Sequence, residues 1–395
     1  MADLVEMSFG DLGDLFDGPH ATPVRRQSGP YFLNISSLQS GRLNLAESDH
    51  VSPEDFSKWT RRVTPRAGDL LFSYETRLGE AALMVDGVEA CLGRRMALLR
   101  PNLSIVDPRF LLYYYLSPGF QRIIATNAIH GATVSRIGLA AMPKWHVEIP
   151  ELARQRAIAE VLGALDDKIA ANDRASALAD DLARSRYHLH VASRPTSRMS
   201  DVLVPLLGGT PTRSDSRFWD GAVPWVSAKD VTSASHGVIR ATSEGISQSA
   251  TRVARLRPLP VGSVVLTARG TVGRVARLDV AASINQSCYG FVPGRLPAGA
   301  LRFVVEAASD QARALAHGSV FDTITMRTFD HVLIPDLTDD EWNGIEGDVR
   351  PLLGLVSGLV RENSVLAKTR DELLPLMMSG KVRVRDAEKR VEEVL

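Results

Sequence analysis

The stretch Ile149-Pro150-Glu151-Leu152 returns in the second half of the chain as Ile334-Pro335-Asp336-Leu337. Each copy leads into a long stretch of helical composition with an asparagine among its apolar positions, Asn172 in the first and Asn363 in the second. A repeat with so long a period is typical of a duplicated unit of one globular domain plus one helix, and not of a solenoid. Two similar domains joined by stiff helices suit a target that presents two related sites.

Two further pairs of motifs support the duplication. A glycine followed by a small or acidic residue and two apolar residues predicts a strand in each copy, at Gly68-Asp69-Leu70-Leu71 and at Gly262-Ser263-Val264-Val265. A His-Gly pair lies between that strand and the helix, at His130-Gly131 and at His317-Gly318. We interpret the repeated His-Gly pair as a loop or cap, and the alternative is a general base.

The composition indicates a globular protein of two domains. With 395 residues the chain exceeds the length that one hydrophobic core usually covers. The net charge of zero argues against an indiscriminate polyanion binder, although residues 196–335 carry a modest excess of Lys and Arg. No stretch is apolar and long enough to cross a bilayer, and the N-terminus is acidic where a secretion signal is basic, so we expect a cytoplasmic protein.

Cys91 and Cys288 are the two cysteines of the chain, and they fall at roughly corresponding places in the two copies. Buried, reduced thiols of a cytosolic protein are the simplest interpretation. A structural zinc site needs more ligands than these two residues supply. We therefore expect no metal site here.

Composition divides the chain into six segments. Residues 1–150 and 198–337 contain short apolar runs broken by Gly and Pro, which predict domains of strands and loops with helices around Asp107–Ala125 and Leu301–Leu315. Residues 151–190 and 338–380 are predicted as two long helices. Residues 191–197 have the composition of a linker, and residues 381–395 form a charged C-terminal tail.

Both long helices carry an apolar seam with alternating steps of three and four residues, which is the pattern of a coiled coil. Because a seam must be buried, an antiparallel pairing of the two helices with one domain at each end is the simplest closed arrangement. Lys168 and Ala179 interrupt the first seam. The predicted seam positions are Ile158, Val161, Leu165, Asn172, Ala175 and Leu182 in the first helix, and Ile345, Val349, Leu352, Val356, Leu359, Asn363, Leu366, Arg370, Leu373 and Met377 in the second.

Asn172 and Asn363 take matching positions in the two seams. Two amides that hydrogen-bond to each other are tolerated in only one alignment, so we expect them to fix the register; a solvated position near a bend is the alternative. A helix of ~33 residues measures roughly 50 Å, which equals about 15 base pairs of B-DNA. The sequence thus predicts an α+β fold with two domains of mixed strands and helices, separated by a pair of long antiparallel helices that form a coiled coil, and with a pseudo-twofold internal repeat.

The sequence contains none of three common catalytic motifs. It has no Gly-x4-Gly-Lys-Ser/Thr phosphate loop, no His-Glu-x-x-His zinc motif and no Gly-x-Ser-x-Gly nucleophile turn. It also has no Pro-Pro dipeptide, which excludes the Asn/Asp-Pro-Pro-Tyr loop of many amino-methyltransferases. A stand-alone DNA-modifying enzyme that uses carboxylates such as Asp69, Glu75 or Asp230 stays open as an alternative, as does a protein–protein scaffold.

The run from Ile149 to Asn172 resembles the central conserved region of the specificity subunits of type I restriction-modification systems. The run Leu373-Leu374-Pro375-Leu376-Met377-Met378-Ser379-Gly380-Lys381-Val382 is similar to the second conserved region of that family. The resemblance covers nearly the whole chain. The second domain resembles the family's target recognition domains at Gly208-Gly209-Thr210-Pro211, Trp219-Asp220-Gly221, Pro224-Trp225, Arg269-Gly270-Thr271-Val272-Gly273 and Asn285-Gln286.

The first domain departs from this pattern. Thr22-Pro23 falls where Thr210-Pro211 does, and Tyr31 roughly matches Trp225. However, Tyr74-Glu75-Thr76-Arg77-Leu78-Gly79 replaces the Arg-Gly-Thr-Val-Gly run, and Gly93-Arg94 falls opposite Asn285-Gln286. Two domains that read different half-sites should differ where they touch bases.

A DNA reader needs Arg or Lys on phosphates for affinity and Arg, Asn, Gln, Ser or Thr on base edges for discrimination. Three alternatives stay open: Trp225 as a core residue, Gly270–Gly273 as a tight turn that exposes only Arg269, and Asn285-Gln286 as partners of a loop. The DNA-binding candidates are Thr210, Arg213, Arg217, Trp225, Ser227, Lys229, Arg269, Arg274, Asn285 and Gln286 in the second domain, and Arg25, Arg26, Tyr74, Arg77 and Arg94 in the first.

The resemblance implies a non-catalytic subunit. Each domain would read one half of a bipartite site in double-stranded DNA, while the paired helices would set the unread gap and dock two methyltransferase subunits. Restriction and translocation subunits would join where the system restricts. S-adenosylmethionine, ATP and Mg are then expected on those partners, with no cofactor and no metal on this chain. DNA methylation and phage defence are the implied biological roles.

Overall fold

The computed structural model describes residues 4–19, 21–39, 41–130, 134–252, 254–316 and 323–395. It divides into two compact units, which we call unit 1 (Met1–Lys168 with Val365–Leu395) and unit 2 (Ile169–Ser364). Gly131 and the His317-Gly318 pair lie outside the described residues. Within the described part, no helix has both the length and the apolar character needed to cross a membrane.

Unit 1 begins with short strands and helices. Its strands are β1 (Leu4–Ser8), β2 (Gly13–Asp17), β3 (Arg26–Leu33), β4 (Leu38–Gln39), β5 (Arg42–Leu43), β6 (Asp49–His50), β7 (Leu70–Ser73), β8 (Ala81–Leu83), β9 (Ala90–Leu92), β10 (Met96–Pro101), β11 (Ala128–His130), β12 (Ser135–Ile137) and β13 (His146–Pro150). Its helices in this part are α1 (Pro53–Trp59), α2 (Pro108–Leu116) and α3 (Pro118–Asn127). The first long helix, α4 (Leu152–Val191), follows and continues into unit 2.

In the described part of the chain, unit 2 has fewer strands than unit 1 and places its short helices differently. Its strands are β14 (Thr196–Arg198), β15 (Leu206–Leu207), β16 (Trp219–Val226), β17 (Val238–Ile239), β18 (Glu244–Ile246), β19 (Val264–Thr267), β20 (Val275–Leu278), β21 (Ser283–Ile284), β22 (Cys288–Phe291) and β23 (Leu333–Pro335). Its helices are α5 (Met199–Val202), α6 (Ala228–Ser233) and α7 (Ala298–Ala316). The second long helix, α8 (Asp339–Met378), leads back to unit 1, where α9 (Val384–Glu392) ends the chain.

The two units share one sheet topology. An antiparallel sheet in the order β2-β10-β7-β8 in unit 1 matches β15-β22-β19-β20 in unit 2, where β17 is added at the edge. A second sheet, β6-β3-β9 or β18-β16-β21, combines one antiparallel and one parallel pair in both units. The first and last strands also pair, β1 with β13 and β14 with β23. The predicted α+β fold and internal repeat are confirmed.

Apolar strands and the long helices form the cores. Strands β7 and β19 are buried at every position, which is expected when a strand is covered on both faces. In unit 2, Tyr187 of α4 and Trp342 of α8 are 2% and 1% exposed and pack in one cluster with Phe291 of β22. Burial of one such aromatic side chain contributes about 2–3 kcal/mol. The long helices are therefore part of a domain core.

The helix predicted around Asp107–Ala125 is two helices, α2 and α3. Pro118 cannot donate a backbone hydrogen bond in a continuous helix, and Ser117 caps α3 by accepting from the Phe120 N–H at 3.3 Å. The second domain's helix, predicted near Leu301–Leu315, is found as α7.

The segments predicted as linker and tail also contain regular structure. Residues 196–197 of the predicted linker 191–197 belong to β14, because their backbones pair with β23. The charged tail contains α9, whose Ala387 and Val391 are buried. An apolar pair four residues apart gives this otherwise charged helix one buried side.

Helices α4 and α8 pair in antiparallel orientation. In unit 2, Asn172 Nδ2 donates to Asn363 Oδ1 at 2.9 Å, and His190 Nε2 lies 2.8 Å from Asp348 Oδ2. Residue numbers on α8 thus fall as those on α4 rise. The predicted helix pair and the predicted hydrogen bond between the two asparagines are confirmed.

The predicted seam of α4 is wrong at Leu182. Leu182 is 47% exposed, whereas Ala183 is buried and so is Ala179, the predicted interruption of the seam. An α-helix has 3.6 residues per turn, so its buried side drifts by about 20° per heptad from a strict seven-residue repeat. The seam residues found buried as predicted are Ile158, Val161, Leu165, Asn172, Ile345, Val349, Val356, Leu366, Leu373 and Met377. Those found partly buried are Ala175, Leu352, Leu359 and Asn363. Four further residues of the two helices are buried without having been predicted: Ser176, Tyr187, Leu353 and Val360.

Candidate nucleic-acid interface

The strand registers align the two units residue by residue. The parallel pairs β3/β9 and β16/β21 end in the same way, and each is followed by a loop that we call the tip loop, residues 93–95 in unit 1 and 285–287 in unit 2. Gly93 N–H donates to the last carbonyl of β3 at 2.6 Å, and Asn285 N–H donates to the last carbonyl of β16 at 2.9 Å. Gly93-Arg94 therefore lies where Asn285-Gln286 lies in unit 2, as the sequence predicts.

A second loop lies beside each tip loop. This hairpin loop, residues 74–80 between β7 and β8 and residues 268–274 between β19 and β20, has the same length in both units. The backbone follows one path, because φ is +75° at both Thr76 and Gly270 and is +88° and +84° at Gly79 and Gly273. The Gly270–Gly273 run is thus a tight strand turn, which is one of the alternatives that the sequence leaves open.

The hairpin loops present different candidates. Arg269 and Arg274 flank the turn in unit 2, are exposed and form no ion pair with another described residue. Tyr74 in unit 1 is only 8% exposed, and its hydroxyl donates to Arg94 O at 2.5 Å. Arg77 Nη1 donates to Ile35 O at 2.9 Å. Tyr74 therefore positions the tip loop, and Arg77 is engaged by the backbone of its own unit.

Two matches expected between the domains are wrong by small shifts. A Cβ on Gly18 would lie 2.1 Å from the first carbonyl of the tip loop, and a Cβ on Gly208 would lie 2.2 Å from the equivalent carbonyl, so these two glycines correspond. Thr210 follows its glycine by two residues, whereas Thr22 follows by four, because unit 1 has a longer segment here. The strand register likewise gives Phe32, not Tyr31, as the counterpart of Trp225.

The two cysteines do not correspond either. Cys91 lies in β9 and has Ser283 as its counterpart, whereas Cys288 lies in β22 and has Met96. Both thiols are free and buried, and burial raises the pKa of each to about 12. They are neutral core residues, as expected, but they are not a repeated feature.

Arg213 forms the centre of an aromatic and ionic cluster in unit 2. Its guanidinium lies 3.8 Å from the Trp219 ring centroid and 5.1 Å from that of Trp225. It also donates to both carboxylate oxygens of Glu244, and this hydrogen bonding lowers the pKa of Glu244. Trp225 is 2% exposed, and its Nε1 donates to Gly209 O at 3.0 Å. Trp225 therefore fits the core-residue alternative that the sequence leaves open, and contact of its side chain with DNA stays a prediction.

Unit 1 places an ion pair at the same position. Arg25 Nη1 lies 3.0 Å from Asp49 Oδ2, and Asp49 is the strand partner of Phe32 as Glu244 is of Trp225. Arg26, at the start of β3, is exposed. The sequence points to the two arginines but not to their acids, because each acid is brought in by cross-strand pairing over a long chain distance.

The two candidate residues of the unit 2 tip loop differ in exposure. Asn285 is 9% exposed, and its Oδ1 accepts from Ser287 N–H at 3.0 Å. Gln286 is exposed and accepts a hydrogen bond from the Thr210 hydroxyl. Asn285 thus fits the loop-partner alternative, whereas Gln286 and Thr210 lie together at the surface with polar atoms available to a base edge.

The remaining candidates of unit 2 lie on nearby turns. Ser227 caps α6 by accepting from Asp230 N–H at 3.3 Å, and Lys229 is exposed on the first turn of that helix. Burial opposes a low pKa for Asp230, but hydrogen bonds from Ser227 and Ser243 outweigh it and leave the pKa below its usual range. Arg217 is exposed and pairs with Asp215 at 2.8 Å. Ser227 is therefore a helix cap, and Lys229 and Arg217 remain suited to phosphates.

In unit 1 the structure gathers several candidates around one cleft of about 370 Å³. Arg25 and Arg94 line it, and so does Arg95, which is not among the candidates from the sequence. Arginine and asparagine side chains in one concave surface are the types that recognise phosphates and base edges. The other lining residues are Thr22, Phe32, Asn34, Ile35 and Ser36.

One group of potential metal ligands is present among the described residues. Ligand atoms of Glu6, His146 and Glu148 lie within 4.8 Å of one another on β1 and β13, and all three side chains are exposed. In unit 2, Arg198 and Leu333 hold the positions of the two glutamates. No spacing pattern along the chain indicates this group, since the pairing of two distant strands creates it.

Comparison with known proteins agrees with this geometry. A family profile described as the type I restriction modification DNA specificity domain matches residues 26–177. The putative type I restriction enzyme MjaX specificity subunit of Methanocaldococcus jannaschii is 20% identical over 93% of this chain and 91% of its own length. Residues 26–177 thus match the type I specificity domain, and nearly the whole chain is similar to a putative type I specificity subunit.

Two further comparisons concern a second relative and a solved structure. The MjaIX specificity subunit of the same organism is 25% identical, but the alignment spans only 42% of this chain and 39% of that relative. The crystal structure of the type I system S subunit from M. genitalium matches with a TM-score of 0.58 at 13% identity, over 95% of this chain and 96% of that chain. The fold of that S subunit therefore extends over nearly the whole of this chain.

Proposed function

We propose that this chain is the non-catalytic specificity subunit of a type I restriction-modification complex, in which unit 1 and unit 2 each read one half of a bipartite site in double-stranded DNA. The repeated tip loop carries this proposal. The same backbone hydrogen bond holds it in both units, while its exposed side chain is Arg94 in one and Gln286 in the other. Glutamine can read an adenine edge in the major groove, whereas arginine can read a guanine edge or bind a phosphate, so one scaffold would contact two half-sites in different ways.

The pair of long helices would set the unread gap between the half-sites. Each helix has 40 residues and is thus about 60 Å long. The hydrogen bond between Asn172 and Asn363 favours one register of α4 against α8. In unit 1, Arg370 Nη1 donates to Asp166 Oδ1 at 2.6 Å, and the Tyr113 hydroxyl donates to Asp166 Oδ2 at 2.6 Å. These polar links would resist sliding of one helix along the other.

The same helices would dock two methyltransferase subunits. Leu178, Leu182 and Leu189 of α4 are 70%, 47% and 75% exposed, and their spacing of four and seven residues places them on one side of the helix. An exposed apolar stripe of this kind is typical of a protein interface. S-adenosylmethionine would bind those methyltransferase subunits, whereas ATP and Mg would bind restriction and translocation subunits where the system has them.

The proposal is tested by mapping methylated bases across the native genome with and without this gene. We expect a two-part motif with a fixed gap that disappears when the gene is deleted. Replacing residues 198–337 with the second domain of a relative should change one half of the motif and leave the other half and the gap intact. An unchanged motif after the exchange would instead indicate a protein–protein scaffold, and methyl transfer by the purified chain alone would indicate an enzyme.

Docking is tested separately by co-purification with the methyltransferase subunits. The triple variant Leu178→Ser, Leu182→Ser, Leu189→Ser should lose the partner while it keeps its helical circular dichroism spectrum. A matched control changes Val261→Ser, whose side chain is 57% exposed in the loop before β19 and lies on neither long helix. Equal recovery of the partner with the triple variant and the control would refute this docking surface.

A further inference from the structure

The hairpin loops of the two units carry opposite charges at equivalent positions. Glu75 and Glu80 of unit 1 occupy the positions of Arg269 and Arg274 of unit 2, because Ser73 and Thr267 take the same place in their sheets and the loops have equal length. The turn itself is the same, as the matching φ angles show. The scaffold therefore accepts either charge, and the two hairpin loops differ in the charge that they offer to a ligand.

The tip loops show the reverse distribution. Arg94-Arg95 of unit 1 lies where unit 2 has the neutral pair Gln286-Ser287. The two loops touch in both units, since Tyr74 N–H donates to Arg95 O at 3.2 Å and Ala268 N–H donates to Ser287 O at 2.7 Å. Positive charge is therefore present in both units but lies on adjacent loops.

We propose that the two units bind the DNA backbone with different loops: unit 2 with its hairpin loop, through Arg269 and Arg274, and unit 1 with its tip loop, through Arg94 and Arg95. This inference rests on the proposed function, which it deepens by naming the residues that set the approach of each unit to DNA. In unit 2 the neutral tip loop is left to read base edges. In unit 1 a pair of glutamates on the hairpin loop would repel phosphates and so excludes that loop from the backbone.

The ion pairs of unit 1 fit this assignment. Arg95 Nε lies 3.6 Å from Glu75 Oε2, and Arg77 Nη2 lies 3.2 Å from Glu80 Oε1, so both glutamates are held back by arginines of their own unit. Arg94 and Arg95 also share a cleft with Arg25, which gathers three guanidinium groups in one place. In unit 2, Arg269 and Arg274 have no such acid among the described residues.

The test measures how DNA affinity depends on salt, because removal of one phosphate contact makes the slope of log affinity against log salt shallower by about 0.9. The full chain in complex with its methyltransferase subunits is titrated with a duplex that carries the mapped two-part motif. The double variant Arg269→Gln, Arg274→Gln in unit 2 should make the slope shallower by about 2. Arg269→Lys, Arg274→Lys keeps the charges and should keep the slope, which separates weaker phosphate binding from misfolding.

Matched variants in the other loops complete the experiment. Arg94→Gln, Arg95→Gln in unit 1 should also make the slope shallower, by about 1 to 2 because Arg95 pairs with Glu75 as well, whereas Gln286→Ala, Ser287→Ala in unit 2 should leave it unchanged. Glu75→Gln, Glu80→Gln should give a slope no shallower than that of the wild type. Equal responses of both hairpin loops, or of both tip loops, would overturn the inference. Absence of motif-dependent binding by the wild-type complex would instead overturn the proposed function.

Discussion

Units 1 and 2 hold their tip loops by the same backbone contact but equip them with different side chains. A glycine lies against the first carbonyl of the loop in each unit, Gly18 in one and Gly208 in the other. The exposed residue that follows is Arg94 in unit 1 and Gln286 in unit 2. Only glycine fits where two backbone segments are in contact. Where a side chain faces solvent, the fold does not restrict the residue type. The comparison therefore separates residues that maintain the loop from residues that the fold leaves free to vary.

The largest effect is expected from filling the space at the two equivalent glycines. A Cβ at Gly18 or Gly208 would lie 2.1 or 2.2 Å from a backbone carbonyl oxygen, so Gly18→Ala and Gly208→Ala should each lower the free energy of unfolding by at least about 3 kcal/mol. Denaturant unfolding measures this. Gly344→Ala in α8 is the control, since its Cβ would meet nothing within 4 Å; it should stabilise by about 1 kcal/mol. Small effects at Gly18 and Gly208 would contradict the close backbone contact, and a large loss at only one of them would contradict their equivalence.

A somewhat smaller effect is expected where the units differ in their cores. Asp69 is 2% exposed and binds Arg100 Nη2 at 2.7 Å, whereas unit 2 has Ser263 and Val292 at these positions. Asp69→Ser should destabilise by about 2–3 kcal/mol, because it leaves the partly buried Arg100 guanidinium without its carboxylate.

The double variant Asp69→Ser, Arg100→Val copies unit 2 into unit 1. It should recover most of the lost free energy of unfolding, since both charges are then removed together. A double-mutant cycle by denaturant unfolding gives the coupling between the two sites. If the two substitutions lower the free energy of unfolding additively, the serine–valine pair of unit 2 cannot replace the ion pair of unit 1.

The asparagine pair of the long helices should give an effect of about 1–2 kcal/mol. Asn172→Leu or Asn363→Leu removes one amide of the 2.9 Å hydrogen bond and leaves the other without that partner. The double leucine variant should be at least as stable as the wild type but should tolerate more than one register. Mapping of the methylated motif should then show more than one gap length; a single unchanged gap would assign register control elsewhere.

The sequence predicts the parts of this fold that depend on local pattern. The apolar periodicity locates both long helices, and the matched asparagines predict the hydrogen bond between them. Local patterns do not determine which residues of two strands lie opposite each other. The ion pair between Asp69 and Arg100 and the equivalence of Glu75 with Arg269 are therefore seen only in the structure. The prediction for Leu182 is wrong for a related reason: an α-helix drifts from a seven-residue repeat, and the small side chains of Ala179 and Ala183 are buried instead.

The smallest predicted effect concerns the turn of the hairpin loop, where the units differ by one residue in the same backbone conformation. Thr76 and Gly270 both have φ of +75°, a region that is costly for a β-branched residue and free for glycine. Thr76→Gly should therefore stabilise unit 1 by about 0.5–1 kcal/mol, and Gly270→Thr should destabilise unit 2 by at least that amount. Thermal unfolding measures both changes. Because a Cβ at Gly270 would meet nothing within 4 Å, opposite signs at the two sites can arise only from backbone strain, whereas equal signs would mean that the two turns are not equivalent.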